Sequence, residues 1–169
     1  AGFKINKGTT EVRCFGNDEG GGYHAQKGLT KTVTDNCTKI INLPSLKTFG
    51  DEFGGSIFLK NHIGSLEPGD MPRCHGNTEF INEVNARADI KNKTFFVMCD
   101  GLRGTYTPNT PWYWGGLIMG KDPVAAEYTA LTVINEKRAA EKQPALEIPS
   151  YVKTAETKYS LGTSTQAKI

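Results

Sequence analysis

Thr94-Phe95-Phe96-Val97-Met98-Cys99 is apolar on both of its alternating faces. That is the pattern of a strand covered from two sides, as in sheets layered with helices. It runs straight into Asp100-Gly101, a turn-forming pair expected to end it. Upstream, Lys39-Ile40-Ile41-Asn42-Leu43 is a second short apolar run, stopped by Pro44, which has no ladder donor. Downstream, Gly116-Leu117-Ile118-Met119 gives a third strand that ends at Gly120-Lys121.

Helical patterns fall between and after these strands. A short helix is expected over residues 56–63, begun after Gly54-Gly55 and stopped near Gly64. Phe80, Ile81, Val84 and Ala88 keep a 3.6-residue period, with Thr78 or Asn77 as N-cap. Asp122-Pro123 opens the longest helix, with Asp as cap and Pro at the first helical position. Lys137, Arg138 and Lys142 place cations near its far end, where the helix dipole favours them. Pro144 and Pro149 mark the loop that follows, and residues 151–159 give a last short helix. Alternating strands and helices define an α/β fold, a layered sheet with helices on both faces. Three strands are few beside the roughly four to six of an ordinary sheet. The sheet is therefore expected to be incomplete without an N-terminal portion.

The 169 residues suit a single domain, with residues 1–37 as a loop-rich lead-in. Within it, Gly16-Asn17-Asp18-Glu19-Gly20-Gly21-Gly22 lacks the preceding strand and the closing Lys-Ser/Thr of a phosphate-binding loop. At 37% apolar and 22% charged residues, the composition excludes disordered and fibrous classes. No apolar run approaches the roughly 20 residues that span a bilayer. The 20 basic side chains are scattered among 18 acidic ones, so no nucleic-acid partner is expected. Ala1-Gly2-Phe3-Lys4 has no signal-peptide features, so either the chain is cytoplasmic or a leader has been removed. Cys14, Cys37, Cys74 and Cys99 form no C-x-x-C pair, which removes the spacing of zinc ribbons and iron–sulfur clusters. Cys99 reads as a small buried hydrophobe, while Cys14 and Cys37 could bridge in an oxidising compartment.

Open α/β sheets gather ligands outside the carboxyl ends of their strands. Lys47, Asp100 and Asp122 follow the three expected strands, and Lys60-Asn61-His62 closes the short helix. If the strands are parallel these groups converge, with His62, Lys60 and Asp100 as catalytic candidates and Lys47, Asn61 and Asp122 binding ligand. Each has a plainer account: Asp100 as a turn former, Asp122 as a cap, Lys47 as a solvated loop lysine, His62 as a surface histidine at a helix end. Cys74-His75 invites a metal, with His75 as the candidate ligand and His62, Asp70 or His24 as the other donors. Trp112-Tyr113-Trp114, between prolines, reads as a loop pinned on the core or as a binding lip.

Five segments, taken together and in order, carry a family resemblance. They are Asn42-Leu43-Pro44-Ser45-Leu46-Lys47-Thr48, Ser56-Ile57-Phe58-Leu59-Lys60-Asn61-His62-Ile63-Gly64, His75-Gly76-Asn77, Val97-Met98-Cys99-Asp100-Gly101-Leu102-Arg103-Gly104 and Gly120-Lys121-Asp122-Pro123-Val124-Ala125. The chain resembles the domain-of-unknown-function family number 362, in particular its branch exported by the twin-arginine route, most firmly over residues 38–142. The resemblance implies an α/β domain, a periplasmic or extracellular location and a redox or metal setting. It also implies further strands and helices before the segment matching Phe3-Lys4-Ile5-Asn6. The cluster cysteines carried by many relatives are absent here.

Three functions follow as expectations. The first is binding or turnover of a small anionic ligand at the carboxyl ends of the strands. The second is a metal- or electron-transfer-associated accessory role, with a transition metal as the candidate cofactor. The third is a structural subunit of an extracytoplasmic assembly. The expected partner is an N-terminal portion or companion chain that completes the sheet, with homo-oligomerisation as a further candidate.

Overall fold

The computed structural model describes residues 12–13, 29–30, 32–49, 54–66, 78–166 and 169. Among these the chain runs through β1 (Val12–Arg13), β2 (Leu29–Thr30), a π-helical turn (Thr32–Asn36), β3 (Ile40–Asn42) and α1 (Phe58–Asn61). A 3-10 turn (His62–Ser65) leads on to α2 (Thr78–Ala86) and α3 (Ala88–Lys91). Then come β4 (Thr94–Thr107), β5 (Thr110–Gly120), α4 (Pro123–Ala140) and α5 (Ser150–Thr157). β1 and β2 pair with each other, and the main sheet has the order β3-β4-β5. β3 lies parallel to β4, and β4 is antiparallel to β5. The chain is thus an α/β fold built on a mixed three-stranded sheet.

β4 does not end at Asp100-Gly101. It continues to Thr107 and turns at Pro108-Asn109 into β5, so Asp100 lies mid-strand opposite Leu117. The expected third strand is the second, antiparallel arm of this hairpin, and Trp112-Tyr113-Trp114 belongs to it rather than to a loop. Glycines let the hairpin take this form. A Cβ on Gly101 or Gly116 would fall within 2.5 Å or less of the Trp114 ring, and one on Gly104 within 2.6 Å of Trp112. Trp112 packs on the core, its ring edge-on to Tyr106 with centroids 6.0 Å apart, which bears out the pinned reading for that residue.

Pro44 follows the last residue of β3 without ending its course along β4. Its carbonyl accepts from the Asp100 amide at 2.9 Å, and the Leu46 amide donates to the Asp100 carbonyl at 2.8 Å. Burial alternates residue by residue from Ile41 to Phe49, as it would in a strand.

α4 begins as expected. Asp122 Oδ1 accepts from the amides of Val124 and Ala125 at 2.8 and 2.9 Å, with Pro123 in the first helical position. Its apolar side covers the sheet: Ala130 and Ile134 meet Val97, Cys99 and Ile118 in one core cluster. Burial pushes the Cys99 thiol up to about 12, so it sits as a neutral hydrophobe. A second cluster joins Leu59, Phe80, Val84, Leu131 and Tyr151 between the helices. It also holds Leu29, a fully buried residue inside what the sequence presents as a loop-rich lead-in. Cys37 is a free thiol that donates to the Val33 carbonyl at 3.3 Å.

The described helices lie on the Val97–Cys99 side of the sheet. On the other side Ile41, Leu43, Leu117 and Met119 are each about half exposed. The second helical layer expected from the two-sided pattern of residues 94–99 is not among the described residues. Residues 16–22 and the Cys14, Cys74, Asp70, His24 and His75 positions also lie outside them.

Candidate functional site

α1 has only four residues, too few to hold itself together. Buried side chains from three other elements fix it. Glu127 of α4 accepts the Leu59 amide on Oε2 at 3.0 Å, which caps the start of the turn. Asn42 of β3 donates to the Phe58 carbonyl at 2.9 Å, and Asn85 of α2 donates to the Leu59 carbonyl at 2.7 Å. Asn61 then donates back to Asn42 Oδ1 at 2.7 Å. This clamp determines where the next residue, His62, is placed.

His62 is 5% exposed and lines a cavity of about 200 Å³. Among the described residues, Asn42, Asn85, Thr94, Lys91 and Lys121 supply the rest of its polar lining, and no carboxylate takes part. Ile90, Pro123 and Leu161 form the apolar part of the wall. Burial lowers the His62 pKa from 6.5 to about 4, so the imidazole is neutral at physiological pH. Its Nε2 is buried and has no hydrogen-bond partner among the described residues. A buried polar atom left unpaired costs about 1–3 kcal/mol, which folded chains seldom accept without a use for it. Lys91 and Lys121 are exposed, and the Lys91 ammonium also reaches the Tyr159 carbonyl at 3.4 Å. The wall therefore combines neutral hydrogen-bonding groups with two cations.

The cavity lies where β4 begins and β5 ends, beside Thr94 and Lys121, and not at the carboxyl end of β4. Antiparallel β5 is the reason, since it returns the chain to the start of β4. Of the residues singled out from sequence, His62 lines the cavity, Asn61 braces it through Asn42, and Asp122 stands between two of its lining residues. The Asp122 carboxylate is already taken: Oδ1 caps α4, and Oδ2 accepts the Thr163 amide at 2.9 Å. The plainer account of Asp122, a helix cap, is what the structure displays.

Lys60 is buried, with its ammonium 5.3 Å from the centre of the Tyr151 ring and its charge acting on Glu127. It belongs to the network behind α1. Asp100 and Lys47 are exposed on the sheet face that the helices leave bare, whereas His62 is buried among the helices. The structure does not bring these two together with His62. Asp100 accepts the Leu102 amide on its own carboxylate at 3.0 Å, a local bond made inside β4, where the ladder is irregular between Gly101 and Arg103, and not at a turn. His75, the metal candidate, lies outside the described residues.

Asn85, Lys91 and Thr94 were not singled out from sequence. Asn82 and Asn85 did leave a signal, because they interrupt the apolar stripe of α2 at positions that are buried. Lys91 and Thr94 left none.

Fold and cavity define an α/β domain with one small, cation-bordered hollow beside a buried neutral histidine. No family model, curated protein or solved structure matches the chain.

Proposed function

We propose that the chain binds a small anionic ligand in the His62 cavity. The observation that carries this reading is the His62 Nε2, buried with no hydrogen-bond partner among the described residues on a wall to which those residues contribute Lys91 and Lys121 and no carboxylate. A volume of about 200 Å³ equals the liquid volume of about seven waters, which suits inorganic phosphate or a short carboxylate. The lysines supply charge, and His62 can exchange a hydrogen bond or a proton with the bound group. His62, and not Asp100, is the proton-transfer group this site offers. A transition metal would need ligands from outside the described residues, since no three His, Cys, Asp or Glu side chains gather among those described.

Titration calorimetry with inorganic phosphate and with short carboxylates tests the reading. Binding should weaken at least tenfold in Lys91→Ala/Lys121→Ala, whose side chains are exposed enough to leave the fold intact. Equal binding by that variant and the parent chain sinks the proposal.

The resemblance to family 362 stands on five ordered motifs, and with it goes the proposal of an extracytoplasmic location. No helix among the described residues is long and apolar enough to cross a membrane. A second reading, subunit of an assembly, is favoured by the half-exposed apolar residues on the uncovered sheet face.

A further inference from the structure

We propose that two copies of this chain pack against each other through the bare face of the main sheet, β3 of each lying over β4 of the other. The inference rests on the second reading above and names the partner as a second copy.

The face is a continuous patch rather than a scatter of residues. Ile41 neighbours Phe96, Met98 neighbours Met119, and Leu117 neighbours Asp100, so side chains from all three strands meet on the same side. Ile41, Leu43 and Met119 are 56%, 56% and 58% exposed. Parallel strand pairs are normally covered on both faces, and β3–β4 is such a pair with one face that no described helix covers.

Charge selects the occupant. Ser45 bridges to Asp100, and Lys47 lies two residues further along the same alternating edge, so the patch ends in a cation and an anion on adjacent strands. Neither takes part in an ion pair among the described residues. A patch that carries both signs unpaired is complementary to itself. A two-fold axis along the strands, between β3 and β4, brings Lys47 towards the partner's Asp100 and repeats the contact by symmetry. The same operation sets Leu43 over the partner's Met98. Aligned sheets pack with strand directions within about 30° of each other, which this arrangement allows.

Sedimentation equilibrium on the full chain is the test. The parent should show twice the 18.5 kDa chain mass at micromolar concentrations. Lys47→Glu and Asp100→Lys should each weaken the dimer about tenfold or more, and Lys47→Glu/Asp100→Lys should recover it. Leu43→Glu should return the single-chain mass with an unchanged far-ultraviolet spectrum. A single-chain mass for the parent overturns the proposal, as does a dimer that tolerates Leu43→Glu. The wider assembly reading fails separately, if protein isolated from its source appears in native mass spectrometry as the lone chain.

Discussion

The Tyr151 hydroxyl lies 3.0 Å from Glu127 Oε1 and equally 3.0 Å from the Gly55 carbonyl, although it has one proton to give. Both oxygens are satisfied at once if Glu127 carries a proton: Glu127 donates to Tyr151, and Tyr151 donates to Gly55. Full burial pushes the Glu127 pKa up, against the amides of Leu59 and Phe58, the Tyr151 hydroxyl and the Lys60 charge. A carboxyl raised in the folded state favours folding below its unfolded value, and that contribution is lost as pH rises through the folded value. Glu127→Gln keeps an acceptor for Leu59 and gains a donor for Tyr151. Its urea midpoint should therefore vary less than the parent's as pH rises from 5 to 8 (about one carboxyl titration is removed). A steeper dependence in the variant would show that Glu127 is ionised. Tyr151→Phe leaves the buried Gly55 carbonyl without a donor and the Glu127 hydroxyl without its acceptor, and should cost about 1–3 kcal/mol.

His62 gives the opposite sign at lower pH. Its folded pKa of about 4 lies below the ordinary 6.5, so the unfolded chain takes up a proton first as pH falls. Stability is unaffected above 6.5 and is lost progressively down to about 4, to a total of about 3 kcal/mol. Denaturant midpoints across that window should fall in the parent and stay flatter in His62→Gln. Phosphate added at pH 5 should restore part of the loss if the proposed anion site is real, because an anion near the ring favours its charged form.

Glu156 anchors the end of the chain. Its carboxylate accepts from the Ser164 amide at 2.8 Å, the Ser164 hydroxyl at 2.6 Å and the Thr163 hydroxyl at 2.9 Å. These bonds, Ser164 foremost, hold its pKa down to about 2. The contribution is present above the ordinary carboxyl value and is lost as pH falls towards 2. Glu156→Gln should speed hydrogen exchange at the Ser164 amide while leaving α4 amides unchanged. Thr163 retains its bond to Asp122, so its own amide should respond less.

Local signals made much of this fold legible. Asp122-Pro123 announces α4 through a cap and a pre-set φ, and both work within four residues of chain. The period of Phe80, Ile81 and Val84 likewise marks α2. The hairpin was hidden because Asp100-Gly101 has the chemistry of a turn, and only the partner strand shows that it can be spent on an irregularity inside β4. Lys47 and Asp100 were misplaced for the same reason, since strand direction decides which ends share an edge and no local pattern encodes it. His62 was legible as a polar residue closing a short helix. Its burial was not, because it depends on Asn42, Asn85 and Glu127, which are distant in sequence.

The hairpin's glycines supply the last prediction. At Gly116 the three atoms nearest an added Cβ all belong to the Trp114 ring, a side chain that is 37% exposed and has somewhere to go. At Gly104 the added atom meets Trp112 at 2.6 Å and also the Leu46 carbonyl oxygen at 2.8 Å, and that oxygen is fixed by its bond from the Thr105 amide. Gly104→Ala should therefore destabilise more than Gly116→Ala, by roughly 1–3 kcal/mol for overpacking against backbone. Trp114→Ala should rescue most of Gly116→Ala, because it removes the three atoms nearest the added Cβ. Trp112→Ala should not rescue Gly104→Ala, because the carbonyl remains and the core loses an aromatic ring. Thermal midpoints of the two double-mutant cycles separate the cases: a large coupling is expected at 114/116 and a small one at 104/112. Equal coupling in both would mean that the backbone at Leu46 can retreat from β4, and that its bond to Thr105 does not fix its position.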